Sequence, residues 1–240
     1  MKHLSLFTAI FVVGCASPGV PSEVPTPAAS LEALPAEAPF RDEILRFAQL
    51  DRQSPPPACP VLFVGSSSIR LWTGLAEDMA PLPVLNRGFG GSSIADVNLY
   101  FDRIVAPYRP RAIVFYAGEN DLDAGQAPEA VVAQFRGFLD RKRAALGDTP
   151  VFFISAKPSK LRFAQIERQS QLNAAIRTLA ATSKDLTFVD VASRMMGGGE
   201  PRDLYVEDGL HMNAAGYVIW RDVVRQSLLE RNVAARRCRN

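Results

Sequence analysis

The chain has 240 residues, a formal net charge of +2 and 48% hydrophobic residues, which suits one medium domain or two small ones and excludes a charged disordered tail. Near-balanced charge gives no pull toward nucleic acid. With only two histidines (His3 and His211), three scattered cysteines, and neither an HExxH nor a GxxxxGK[ST] run, the sequence speaks against a multi-histidine metal centre, a zinc ribbon and a P-loop.

Residues 1–15 read MKHLSLFTAIFVVGC. Lys2 and the apolar run Leu4–Val13 have the form of a secretory leader. The run is shorter than the ~20 apolar residues that a membrane span needs. Its end, Val12-Val13-Gly14-Cys15, resembles the lipobox of bacterial lipoprotein signal peptides. That resemblance implies a signal peptide over 1–14, cleavage before Cys15, and lipid on the Cys15 thiol and the new amino terminus. It also implies a protein held at the bacterial cell envelope through this lipid. Ala16 after the cysteine resembles the outer-membrane sorting pattern of Gram-negative lipoproteins. An ordinary secretory signal that ends near a cysteine is the alternative. Residues 16–39 hold six prolines and no aromatic residue. Such a segment cannot bury enough apolar surface to fold, so 15–39 read as a lipidated cysteine and tether at ~3 Å per residue. The folded domain is expected over 40–240.

A helical pattern at Phe40–Leu50 precedes the first strand-like run, Val61–Gly65. Further strand-like runs are Val84–Asn86, Ala112–Ala117, Val151–Ala156 and Leu186–Asp190. All five are short and rich in β-branched or aromatic residues, as strands buried on both faces are. Helical patterns alternate with them at Ala95–Val105, Pro128–Leu146, Phe163–Ala181 and Asn213–Asn232. Pro128 near a helix start and Gly147 just past its end follow the usual helix asymmetry. One helix followed by repeated β–α units predicts an α/β fold, a three-layer α/β/α sandwich around a mostly parallel five-stranded sheet.

Ligands of such sheets gather at the carboxyl ends of the strands. Polar clusters lie there: Gly65-Ser66-Ser67-Ser68, Asn86 to Ser92, Gly118-Glu119-Asn120-Asp121, and the late loop Asp208-Gly209-Leu210-His211. Each alone fits a turn, a helix cap or a surface pair. Together and in this order they resemble the SGNH (GDSL-type) hydrolases, over essentially the whole domain. The resemblance implies an SGNH/flavodoxin-like fold and a nucleophile at Ser67. Ser66 stands where the family has aspartate, which leaves Ser66 and Ser68 as neighbouring hydroxyls. It further implies oxyanion-hole donors at Ser67, Gly91 and Asn120, with Gly88 and Gly90 close to Gly91, and an Asp208–His211 pair as orienter and base.

The chemistry suits these residue types. A serine hydroxyl needs a base, and His211 is the one histidine beyond the leader. Asp208 can accept from the imidazole and stabilise its charged form. The expected cycle is an acyl-enzyme on Ser67 followed by hydrolysis, with no metal or organic cofactor. A GxSxG elbow is absent, because Ile69 stands at the last glycine.

The expected substrate is a carboxylic ester with a short to medium acyl chain, small-molecule, lipid or glycan. Alternatives with the same machinery are a carbohydrate O-acetyl esterase, an acyltransferase, a lysophospholipase or a thioesterase. A binding lipoprotein without turnover is a further alternative. Trp72, Phe89, Tyr100 and Leu122-Asp123 flank the motifs and are candidates to line the pocket. Cys59 and Cys238 either form a disulfide between the C-terminus and the first strand, as an oxidising envelope permits, or stay free.

Overall fold

The computed structural model describes Met1 and residues 34–238. The expected leader over 2–14, Cys15 and the tether as far as residue 33 lie outside the described residues. Five strands, β1 (Val61–Gly65), β2 (Val84–Gly88), β3 (Ala112–Tyr116), β4 (Val151–Ile154) and β5 (Leu186–Val189), form one sheet in the order β2-β1-β3-β4-β5. Every pairing is parallel. Among the described residues ten α-helices accompany it: α1 (Arg41–Gln53), α2 (Ser67–Arg70), α3 (Leu75–Asp78), α4 (Ile94–Leu99), α5 (Phe101–Ile104), α6 (Glu119–Asp123), α7 (Pro128–Leu146), α8 (Ile166–Thr182), α9 (Ala192–Met195) and α10 (Ala214–Glu230).

Alternate residues of β1, β3 and β4 feed two separate cores. Leu62, Val64, Ile113, Phe115, Val151 and Phe153 join the core that contains Ile44, Val131 and Ile176 of α1, α7 and α8. Val61, Phe63, Val114, Tyr116, Phe152 and Ile154 join the other, with Trp220 and Val224 of α10. Strands that contribute to two cores have no polar face, which is why their sequences show no alternation.

The predicted helix over Ala95–Val105 is two helices. The break falls at Tyr100, whose hydroxyl donates to the Pro39 carbonyl. The last long helices begin and end within a few residues of their predicted bounds. A small antiparallel pair, β6 (Met196–Gly197) and β7 (Glu200–Pro201), had no hydrophobic pattern to announce it. Cys59 and Cys238 are joined by a disulfide, with Cα atoms 5.6 Å apart, and tie the C-terminal end to the entry of β1.

The sheet reverses its winding between β1 and β3: the chain goes outward from β1 to β2, then crosses back to β3 on the other side. Loops leaving two such neighbours diverge and leave a crevice. Gly65 and Tyr116 pair at that end. A Cβ on Gly65 would lie 1.8 Å from the Tyr116 carbonyl oxygen, and Gly65 has φ +135°. Only glycine fits this crossing, and it lets the chain turn at once from β1 into α2.

Away from that end, an ionic cluster joins α7 to the start of β5. The Lys142 ammonium is fully buried, 2.5 Å from Asp185 Oδ2. Arg143 adds two bonds of 2.9 Å to the same carboxylate. Its guanidinium, helped by Lys142 against the opposing effect of burial, holds the Asp185 carboxyl well below the usual range. A depressed pKa contributes stability above the ordinary carboxylate range and loses it as pH falls through that range. Asp185→Asn strips a buried ammonium of its counter-charge and is expected to cost about 3–5 kcal/mol. Urea unfolding at pH 7 measures this, and a loss below about 1 kcal/mol would mean that Lys142 needs no partner there.

Candidate active site

Three strand ends and the loop before α10 meet at the β1/β3 crevice. Ser67 is the first residue of α2, so its N–H has no partner within that helix. Its Oγ lies 2.9 Å from His211 Nε2. Ser66 and Ser68 are both buried, each 3% exposed. His211 Nδ1 lies 2.6 Å from Asp208 Oδ2. The Asp208 Oδ1 atom accepts the Leu210 and His211 amides at 2.8 and 2.9 Å. One carboxylate thus both closes the turn and holds the imidazole. The structure brings Ser67, His211 and Asp208 into one hydrogen-bonded chain across 144 residues of sequence.

Burial pushes the Asp208 carboxyl up, but the His211 ring and the two amides outweigh it and hold it at about 2. Asp208 is therefore charged at any ordinary working pH.

The loop after β2 brings Gly91 to the same place. Gly88 and Gly90 serve other contacts: a Cβ on Gly88 would lie 2.3 Å from the Arg70 amide nitrogen, and one on Gly90 would lie 2.2 Å from the Phe40 ring. A Cβ on Gly91 would meet only the Asn120 carboxamide, at 3.7 Å from Nδ2. Gly91 therefore borders the open space in front of Asn120. The Asp121 carboxylate, fully buried, accepts the Ile94 amide at 3.0 Å and so ties the Gly91 loop to α6. Burial raises its pKa, and the Ile94 amide opposes this.

Four of the residues expected to line a pocket are instead in the core. Phe89 is fully buried, edge-on to Phe40 and Tyr100. Trp72 packs edge-on to Phe63 and Trp220. Tyr100 and Leu122 are also buried; Asp123 is exposed and pairs with Arg162 at 2.8 Å. Large apolar side chains beside a motif serve to seat the loop before anything else.

Behind the site lies a charged cluster that the motif reading missed. Glu119 Oε2 accepts the Tyr116 hydroxyl at 2.6 Å and faces Lys157 Nζ at 3.2 Å. Lys157 is 1% exposed, donates to the Leu210 carbonyl at 2.8 Å, and lies 5.6 Å over the Tyr205 ring. Arg162 donates to Asn120 Oδ1 at 2.9 Å and lies 3.5 Å from Glu119 Oε1. Burial and the neighbouring Glu119 push the Tyr116 phenol well above its usual range. Among the described residues no group of three or more His, Cys, Asp or Glu could hold a metal ion.

The hydrogen-bonded Ser67, His211 and Asp208 suit one kind of chemistry: attack of a serine oxygen on a carbonyl carbon. Comparison with known proteins gives the family and the fold. Residues 63–219 match the model of the GDSL-like Lipase/Acylhydrolase family. A GDSL-like lipase from Bacteroides thetaiotaomicron superposes with TM-score 0.68 at 21% identity, over 78% of this chain and 98% of that one. A carbohydrate esterase family 3 protein from Talaromyces cellulolyticus superposes with TM-score 0.58 at 18% identity, over 71% and 96%. A lipase/acylhydrolase from Enterococcus faecalis gives 0.55 at 18%, over 75% and 99%. At such identities the likeness is one of fold. No curated protein matches the sequence.

Proposed function

This chain belongs to the GDSL-like lipase/acylhydrolase family and is a hydrolase acting on ester bonds; from there we propose that it cleaves carboxylic esters of short to medium acyl chains through an acyl-enzyme on Ser67. One observation carries the reading: Ser67 Oγ, His211 and Asp208 form a single chain of hydrogen bonds of 2.9 and 2.6 Å. His211 Nε2 takes the Ser67 proton as Oγ bonds to the acyl carbon. The Ser67 and Gly91 amides and Asn120 Nδ2 receive the carbonyl oxygen as it becomes negative. The proton then passes to the leaving alkoxide, which departs as the alcohol. Water, deprotonated by the same imidazole, releases the acid and restores Ser67.

The lipid anchor on Cys15 and the envelope location belong to the same reading. They rest on the lipobox resemblance alone. An anchored hydrolase would act on lipid, glycan or exogenous esters within reach of its tether.

The test uses the full chain in mild detergent with p-nitrophenyl acetate, butyrate and octanoate. Turnover with a clear chain-length preference is expected, together with stoichiometric labelling by a fluorophosphonate that mass spectrometry places on Ser67. No turnover on any ester and no labelling would overturn the reading.

A further inference from the structure

The carboxamide of Asn120 has two chemically opposite ends of nearly the same shape. Only the NH₂ end can stabilise an oxyanion; the carbonyl end would repel it. The proposed reaction therefore depends on which way this group is turned, and neither its rotamer nor its size decides that.

We propose that Arg162 is a positioning residue that fixes the Asn120 amide with its NH₂ facing the developing oxyanion, an inference that rests on the serine-esterase reading above. Arg162 Nη1 donates to Asn120 Oδ1 at 2.9 Å. On the other side, Asn120 Nδ2 donates to the Ser92 carbonyl at 3.1 Å. Its second hydrogen remains for the space that Gly91 leaves open. Turning the amide over would set its NH₂ against a guanidinium and its oxygen against a carbonyl oxygen. Both contacts would become repulsive in a partly buried site, where such terms are strong.

The guanidinium is itself held. Arg162 Nη2 lies 2.8 Å from Asp123 Oδ2, and Nη1 lies 3.5 Å from Glu119 Oε1. Its side chain is only 14% exposed. Glu119, next to Asn120 in sequence, is in turn fixed by Tyr116 and by Lys157. Lys157 reaches on to the carbonyl of Leu210, next to His211. Lys157 and Arg162 both lie on the segment after β4, which supplies none of the Ser, Gly, Asn, Asp or His groups of the site. Its role is to hold them from behind.

A double-mutant cycle on p-nitrophenyl acetate tests this. Asn120→Ala is expected to lower kcat about 10²–10³-fold, as loss of one oxyanion donor does. Arg162→Met is expected to lower kcat about 10–50-fold with KM changed less than about threefold, because only the transition state meets the misturned amide. The double variant is expected to match Asn120→Ala within about threefold, since Arg162 has nothing left to orient. Arg162→Lys keeps the charge and one donor and is expected to recover part of the loss. It replaces Arg162→Met in the cycle if that variant does not fold. Losses that multiply across the cycle, or a change confined to KM, would overturn the inference. Fluorophosphonate labelling of Ser67 separates the two levels. A parent that neither labels nor turns over defeats the esterase reading and this inference with it. A parent that does both, beside an Arg162→Met variant of parental kcat, defeats only the inference.

Discussion

Ser67→Ala is expected to lower kcat/KM for p-nitrophenyl butyrate by about 10⁴-fold or more, and to abolish phosphonate labelling. Ser66→Ala and Ser68→Ala are expected to stay within about tenfold of the parent, since neither hydroxyl takes part in the proposed bond-making step. The three variants matter together because the run Gly65-Ser66-Ser67-Ser68 offers three adjacent hydroxyls. Only Ser67 Oγ is hydrogen-bonded to His211 Nε2, from the first turn of α2, while its neighbours are buried. Some rate above that in water should survive in Ser67→Ala, because the proposed donors to the carbonyl oxygen are still present. Parental activity in Ser67→Ala, or its loss in Ser66→Ala or Ser68→Ala instead, would reassign the nucleophile.

Asp208→Asn is expected to cost about 10³–10⁴ in kcat. The asparagine Oδ1 can still accept the Leu210 and His211 amides, so the turn survives the change. What is lost is the carboxylate at Nδ1, which keeps the proton there, leaves Nε2 free to act as base, and stabilises the charged ring. Structure is retained and chemistry is not, so the melting temperature should move little while kcat collapses. The pH dependence of the parent follows from the same contacts. Asp208 is held at about 2, below its ordinary value, so its contribution is complete above the usual carboxylate range and fades only as pH falls toward 2. Between pH 7 and 4 the carboxylate should therefore add no protonation step to the pH profile of kcat/KM. A slope of two in that window would mean that the carboxylate titrates there, and that the hydrogen bonds to Oδ1 and Oδ2 do not hold it in solution.

Most of the architecture was legible before any coordinate. Val61–Gly65 and Ala112–Ala117 stood out because strands that feed two cores are apolar throughout. The polar clusters stood out because they followed those strands at once, where a parallel sheet opens its loops. Pro128–Leu146 could be bounded from its first and last residues. The short helices α2, α3, α6 and α9 were not legible. Segments of four or five residues have no period to read, and tertiary contacts hold them.

Aromatic side chains beside the motifs were misleading for a related reason. Phe89 and Trp72 flank site residues in sequence, yet burying a large apolar group is worth ~2 kcal/mol or more, so such groups are drawn to the core rather than the crevice. Lys157 and Arg162 carried no signal at all. Charged residues are common on helices and loops, and nothing in their spacing shows that one will be 1% exposed beneath the Leu210 carbonyl.

The sequence by itself determined the fold class, the order of the blocks and the residue types brought to the crevice, because these depend on local periodicity and on short spacings such as Asp208 to His211. Only the tertiary structure decided which serine reaches the imidazole, which glycine borders Asn120, and which cation turns its amide. Those choices are made by contacts between segments 28 to 144 residues apart, where a shift of a few ångströms separates a hydrogen bond from none.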